Sequence, residues 1–298
     1  MKQPKVAVIV LTYNQEKETA GCLEGLKQLS YPAFETVVVD NGSRRSAEEA
    51  LASRFPGVQW IRLPQNVGFA AGCNEGIRRA LSRGVEGVLL LNNDAKGTSD
   101  LLDKMVETAF SGDAVGVVGA VIYRESPHRP LLAGMQFNFF TARIRRILPS
   151  SGRESMPVVS GSCFFIKKVC LEKVGFLDER FFIYFEETDF CYRARQKGYQ
   201  VICDGRLSVQ HEDGSTFGRG SAAFRYLYTR NRLLFLSKHC PRWLRPWSFF
   251  VRVLQDILLA SFSLLQGHTE ISRAISCGVE DYWKGRFQKG RLDSFFHD

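Results

Sequence analysis

Neither of the two common glycine-rich phosphate motifs occurs in this 298-residue chain. No G-x-G-x-x-G follows its first apolar run, and G-x-x-x-x-G-K-[ST] is absent throughout. That argues against a dinucleotide oxidoreductase and against a P-loop NTPase. The eight cysteines (22, 73, 163, 170, 191, 203, 240 and 277) include no C-x-x-C pair. None lies near a paired histidine, so a zinc ribbon or thioredoxin-type site is not expected. Their scattered, mostly apolar surroundings suggest reduced core thiols in a cytosolic protein. No small-residue cleavage site follows the N-terminal apolar run, so no signal peptide is expected. Acidic residues are missing from 214–255, where eight Lys/Arg stand alone and supply most of the net charge of +9. Such a stretch suits nucleic acid, anionic lipid, a phosphorylated substrate or simply water.

Long uncharged runs are also missing. In the apolar stretch 247–265, Arg252 and Asp256 intervene, and the longest charge-free run there, 257–269, is too short to span about 30 Å of hydrocarbon. Arg252 and Asp256 are four apart and can pair on one helix face. Phe250, Val253, Leu254, Ile257, Leu258, Ser261, Leu264 and Leu265 share the other. That pattern predicts an amphipathic helix, either packed on the main domain or lying in a membrane surface beside the basic stretch.

What remains is an ordinary globular composition, 45% hydrophobic and 24% charged. Its first 121 residues alternate between two periods. Continuous apolar, β-branched runs at 6–11, 36–39, 59–63, 87–91 and 115–121 predict buried strands. Helical patterns at 16–29, 46–54, 68–83 and 100–110 separate them. This alternation predicts a mostly parallel sheet with helices on both faces. Residues 123–156 lack clear periodicity and predict a loop-rich or antiparallel insert. A strand at 158–166, an aromatic loop at 174–185, a helix at 187–197 and short strands at 200–203 and 207–210 follow. From 222 onward the chain reads as helical.

In such sheets ligands bind beyond the carboxyl ends of the strands. Four strand ends carry small polar clusters: Thr12-Tyr13-Asn14, Asp40-Asn41-Gly42-Ser43, Asn66-Val67-Gly68 with Asn74 on the next helix, and Asn92-Asn93-Asp94. One cluster is an ordinary turn. Four along one sheet edge predict a shared pocket. Asp40 can accept from a base N–H, and the backbone at Gly42 and Gly68 can approach a ribose or phosphate closely. Asp94 is a hard oxygen ligand suited to Mg²⁺ or Mn²⁺. Downstream, Glu186, Glu187 and Asp189 stand at a helix start. There they serve either as dipole-favoured caps or as a carboxylate base near an acceptor hydroxyl. His211, followed by Glu212 and Asp213, is either structural or a second metal ligand beside Asp94.

Together these pieces resemble glycosyltransferase family 2 with its GT-A fold, in particular the rhamnosyltransferase-like bacterial branch. The segments that carry the likeness include Val10-Leu11-Thr12-Tyr13-Asn14, Val39-Asp40-Asn41-Gly42-Ser43, Asn66-Val67-Gly68-Phe69-Ala70 and Leu91-Asn92-Asn93-Asp94. Ser160-Gly161-Ser162-Cys163, Phe182-Ile183-Tyr184-Phe185-Glu186-Glu187-Thr188-Asp189, His211 and Tyr228-Thr229-Arg230-Asn231 extend it to about residue 240.

The resemblance implies a GT-A domain over 1–220 and a helical, membrane-associated region over 221–298. It implies that Thr12, Tyr13, Asn14, Asp40, Asn41, Gly42, Asn66, Gly68, Asn74, Asn92 and Asn93 surround a UDP- or dTDP-linked sugar. Asp94 and His211 would hold Mg²⁺ or Mn²⁺, and Glu187, with Asp189 second, would be the base. Ser160 and Gly161 would lie near the sugar or acceptor. The implied reaction is inverting transfer to a hydroxyl of a glycan or lipid-linked glycan in surface polysaccharide assembly. Membrane contact through 221–270, a cytoplasmic location on the inner membrane face and no nucleic-acid partner go with it. Two positions depart from the family pattern: Asn92 stands where the metal motif has its first Asp, and Glu187 where the base is usually Asp. The rival readings are a nucleotidyltransferase and an inactive sugar-nucleotide or glycan-binding module.

Overall fold

The structure is a computed structural model, and it describes residues 3–124, 130–149, 151–211, 218 and 220–295. Strands β1 (Val6–Thr12), β2 (Phe34–Asp40), β3 (Gln59–Arg62) and β4 (Gly87–Asn92) alternate with helices α1 (Glu16–Leu26), α2 (Ala47–Leu51) and α3 (Phe69–Ser82). The short strand β5 (Lys96–Gly97), helix α4 (Leu101–Ala109) and strand β6 (Val115–Tyr123) follow. The insert forms β7 (Pro130–Leu132), β8 (Gly134–Asn138), β9 (Arg143–Ile147) and β10 (Arg153–Ser155). Then come β11 (Cys163–Lys167), α5 (Lys168–Val174), α6 (Glu186–Gln196) and β12 (Gln200–Gln210). Three helices end the chain: α7 (Ala222–His239), α8 (Arg245–Leu265) and α9 (Thr269–Trp283).

The main sheet runs β10-β12-β6-β11-β4-β1-β2-β3. Strands β4, β1, β2 and β3 are parallel, as their continuous apolar sequences predict. β11 inserts antiparallel between β4 and β6. Alternate residues feed two cores. Val6, Val8 and Val10 pack with Leu23 of α1 and Met105 of α4, while Ala7 and Ile9 meet Ile77 of α3 and Phe190 of α6. Helices therefore cover both faces.

Two details differ from the sequence pattern. Val158 makes only an isolated bridge with Met135, residues 161–162 turn, and the strand begins at Cys163. The two short strands at 200–203 and 207–210 are one, β12, with a register break between Asp204 and Ser208. There the buried Asp204 accepts from Thr108 Oγ1 at 2.6 Å and from the Arg206 amide at 3.0 Å, which explains the polar interruption. The insert is antiparallel throughout, its longest piece being the β8–β9 hairpin. The last three helices are not a separate appendage. Leu233, Phe235 and Leu236 of α7 share a core with Phe181 and Phe185 of the aromatic loop.

Candidate active site

The carboxyl ends of β1, β2 and β4 open onto a cavity of about 680 Å³. Thr12, Tyr13, Asn41, Asn66, Gly68, Asn92, Asn93, Asp94, Glu187 and His211 all reach its wall. The parallel register sets Thr12 beside Asp40 and Leu11 beside Asn92. Side-chain hydrogen bonds then tie the strand ends together. Asn41 Nδ2 donates to Asn66 Oδ1 at 3.0 Å, and Asn66 Oδ1 accepts from the Gly68 amide at 2.9 Å. Asn93 Nδ2 donates to Gln15 Oε1 at 3.1 Å.

Four of the residues expected to surround the nucleotide sugar do not line the cavity. Asp40 is buried, and its carboxylate accepts from the Ser43 and Ala47 amides at 2.8 and 3.0 Å, which caps the turn and the start of α2. Asn14 bridges two loops. Its amide donates to Ser43 Oγ, and its Oδ1 accepts from the Arg44 amide, both at 2.9 Å. Gly42 lies in the same turn, in the left-handed region at φ 79°. Asn74 is buried and spent on Leu177, donating to its carbonyl at 2.9 Å and accepting from its amide at 3.1 Å.

Asp94 and His211 come together from β4 and β12, with His211 Nε2 3.2 Å from Asp94 Oδ1. Asn92 Nδ2 is 2.9 Å from the same nitrogen. A carboxylate oxygen and an imidazole nitrogen at this spacing match neighbouring ligands on a small divalent ion, about 3 Å apart for bonds near 2.1 Å. The described residues contain no group of three His, Cys, Asp or Glu side chains that could hold an ion. Glu212 and Asp213 lie outside the described residues.

Glu187 projects from the first turn of α6, where Thr188 Oγ1 donates to its Oε1 at 3.0 Å. Gly161 faces it. A Cβ there would meet Glu187 Cβ and Cγ at 3.2 Å, so the absent side chain leaves the carboxylate room. Burial raises the Glu187 pKa. Burial, then the Glu187 charge, push Glu186 well above the ordinary glutamate range. Glu186 Oε2 has no hydrogen-bond partner among the described residues. Two adjacent carboxyls in one wall do not ionise together readily. Glu186, the more deeply buried, is the harder of the two to ionise.

Asp189 points elsewhere. It is fully buried and binds Arg193 at 2.7 Å, Lys238 at 2.5 Å and His239 at 2.8 Å. Burial alone would raise its pKa, but His239, Arg193 and Lys238 outweigh burial and hold it below the ordinary range. A carboxylate so engaged is structural, which leaves Glu187 as the only one of the two on the cavity wall.

The approach to α6 is strained. Phe182, Tyr184 and Phe185 adopt φ of 64°, 71° and 77°, each costing about 1–3 kcal/mol. Asn231 of α7 holds this turn, its Nδ2 lying 2.6, 2.8 and 3.0 Å from the carbonyls of Phe181, Ile183 and Tyr184. The fully buried Arg230 donates to Asn231 Oδ1 at 3.0 Å and fixes its orientation. Gly68, at φ 92°, presses on the other side, where a Cβ would meet the Phe182 ring at 2.5 Å. The sequence marked Arg230-Asn231 as a family segment but gave it no role. Arg146, Tyr184, Arg225 and Tyr228 also line the cavity. For Arg225 the only prior signal was the basic stretch.

A mixed sheet of this order, with polar strand ends converging on a carboxylate–imidazole pair and a further carboxylate lining the same cavity, defines a GT-A type group-transfer enzyme. The profile of glycosyl transferase family 2 matches residues 7–175, and the chain belongs to that family; it is a glycosyltransferase. Two relatives carry names of the rhamnosyltransferase branch. The dTDP-rhamnosyl transferase RfbF of Shigella flexneri is 26% identical, over 94% of this chain and 92% of its own. The N-acetylglucosaminyl-diphospho-decaprenol L-rhamnosyltransferase of Mycobacterium tuberculosis is 22% identical, over 82% and 88%. Among solved structures, the mannosyltransferase PcManGT of Pyrobaculum calidifontis, in complex with GDP-Man and Mn²⁺, shares the fold. Its TM-score is 0.64 at 19% identity, covering 96% of this chain and 89% of that one.

Proposed function

We propose that this glycosyltransferase moves a deoxyhexose such as rhamnose, with inversion, from a dTDP- or UDP-linked donor to a hydroxyl of a lipid-linked glycan. The observation that carries the reading is one cavity lined by both the Asp94–His211 pair and Glu187. The names of the two relatives and the Mn²⁺–nucleotide-sugar complex of the structural neighbour support it.

Asp94 and His211 would hold Mg²⁺ or Mn²⁺, which when bound offsets the charge of the departing diphosphate. Thr12, Tyr13, Asn41 and Asn66 would orient the nucleotide from the strand ends. Asp40 and Asn14 would act one layer back, by fixing the two loops that carry those residues. Glu187 takes the proton of the acceptor hydroxyl as its oxygen attacks the anomeric carbon. The bond from that carbon to the diphosphate oxygen breaks on the opposite face. A base poised for that step profits from a raised pKa, because proton transfer is best matched near the working pH. Of the two adjacent carboxyls, Glu187 is the one less strongly pushed toward its neutral form. The enzyme would work on the cytoplasmic face of a membrane.

The test is hydrolysis and transfer of a panel of dTDP- and UDP-sugars with Mn²⁺, in the wild type and in Asp94→Ala. The reading expects turnover of one donor, lost by at least about 10²-fold in the variant. Equal turnover in both would sink the metal assignment, and release of pyrophosphate instead of nucleoside diphosphate would sink glycosyl transfer.

A further inference from the structure

The helix α8 is amphipathic in the opposite sense to a helix on a domain surface. Its charged pair faces the protein: Arg252 and Asp256 are buried, with Arg252 Nε donating to Asp256 Oδ2 at 2.8 Å. Its apolar stripe faces outward. Ile257, Leu258 and Phe262 are 55%, 62% and 56% exposed, and Phe250, Leu254 and Leu265 continue the row. The helix itself has 21 residues and is about 30 Å long, and the stripe runs along most of it. Isolated exposed hydrophobes are ordinary, but a contiguous stripe of this length marks an interaction surface.

The β8–β9 hairpin extends this face. Its tip is fixed to α8 by three hydrogen bonds. Trp247 Nε1 donates to the Phe140 carbonyl at 3.0 Å, Ser248 Oγ to the Phe139 carbonyl at 2.5 Å, and Gln255 Nε2 to the Thr141 carbonyl at 3.0 Å. Phe140 and Trp247 pack ring on ring at 5.4 Å, and both remain exposed, as does Trp243 at 82%. Strand period then divides β9. Ile144 and Arg146 line the cavity, while Arg143 and Arg145 project from the other side and are exposed. Arg242, also exposed, adds a cation where the chain enters α8.

We propose that α8 and the β8–β9 hairpin dock on an anionic lipid bilayer, with α8 lying in the interface and not across it. An apolar ridge with tryptophans and arginines at its border fits the boundary between acyl chains and anionic headgroups. A second copy of the chain fits less well, because the ridge and the hairpin carry no exposed carboxylate to meet these arginines, the one acidic residue of α8, Asp256, being buried on Arg252. Crossing the bilayer fits no better, because the inner face of α8 is committed to the buried Arg252–Asp256 pair and packs on α7 and α9. The hairpin that reaches the lipid also walls the cavity, so an acceptor carried on a lipid would meet Glu187 from the membrane side. That last link rests on the acceptor proposed above; the docking surface does not.

The full chain is sedimented with vesicles of phosphatidylethanolamine and phosphatidylglycerol, and separately with phosphatidylcholine alone. The wild type should pellet with the anionic vesicles, less so at high salt, and much less with the neutral ones. Ile257→Ser/Leu258→Ser/Phe262→Ser should bind at least roughly tenfold more weakly. It should still hydrolyse donor at the wild-type rate without lipid, because none of the three lines the cavity. In the wild type, brominated lipid should quench tryptophan fluorescence, a readout independent of any variant. Wild type left in the supernatant, equal binding to both lipids, or undiminished binding by the triple variant overturns the proposal. So does a wild-type dimer that the variant converts to monomer, which would make the ridge a contact between copies. Sedimentation involves no turnover, so its failure is distinct from failure of the glycosyl-transfer reading.

Discussion

Glu187 works under two opposed influences. Burial raises its pKa, and the Thr188 hydroxyl, by donating to the ionised form, lowers it. A base is active when deprotonated, so activity should rise with pH through the raised value and lie flat above it. Thr188→Val keeps the shape and removes the donor. The acid limb of the kcat/KM profile should therefore move to higher pH; an unmoved limb would mean that the limb reports another group. Asp189 shows the reverse sign. Its depressed pKa stabilises the fold above the ordinary aspartate range, and that contribution disappears as pH falls through the folded-state value. Sequence spacing alone left the two carboxylates interchangeable. What separates them is Lys238 and His239, fifty residues away, and no local pattern shows which carboxylate they meet. The same holds for Asp40 and Asn74: their polar identity was legible, their commitment to backbone amides and carbonyls was not.

At the scale of elements, the strained turn before α6 places the base, and α7 maintains the turn. Asn231→Ala removes the contacts to three carbonyls and frees Phe182, Tyr184 and Phe185 to relax toward ordinary φ values. Displacing Glu187 by about 1 Å lowers the rate on the order of 10²-fold. The expected outcome is a fall in kcat with little change in the KM for donor, since the Asp94–His211 side of the cavity is untouched. Equal effects on kcat and KM would mean that Asn231 also shapes the donor side of the cavity, and an unchanged melting temperature would separate either effect from loss of folded enzyme. The strands β1 to β4 were legible because buried parallel strands are apolar without interruption. The turn was not, because positive φ at phenylalanine and tyrosine has no composition signal. β12 read as two pieces because the buried Asp204 interrupts an otherwise apolar strand.

Across the whole molecule, the C-terminal helices are joined to the catalytic core by a buried polar network. Tyr226 Oη donates to Asp281 Oδ2 at 2.7 Å and accepts from the Arg291 amide at 2.8 Å. Arg230, which orients Asn231, donates to the same hydroxyl at 3.4 Å. Gly278 lets α9 approach so closely that a Cβ would lie 2.7 Å from the Tyr226 carbonyl. Removing residues 246–298 would strip α8 and α9 from α7, which takes Asp281 from Tyr226 and uncovers the apolar side chains packed there, at a cost of at least roughly 3–5 kcal/mol. The melting temperature should fall on the order of 10 °C, and transfer should fall with it. A truncated chain that melts like the full one would show the helices to be an accessory. The amphipathic pattern of α8 was plain in the sequence, but which face turned inward was not. A buried Arg–Asp pair reads like a solvated one until its partner helices are known.

Glu187→Gln tests the central claim most directly. The amide keeps the size and polarity of the side chain but cannot take a proton. Binding of donor nucleotide with Mn²⁺, measured by calorimetry, should match the wild type. Transfer to acceptor should fall by about 10²–10⁴-fold. Transfer at the wild-type rate in Glu187→Gln, with the donor bound as before, would contradict the account.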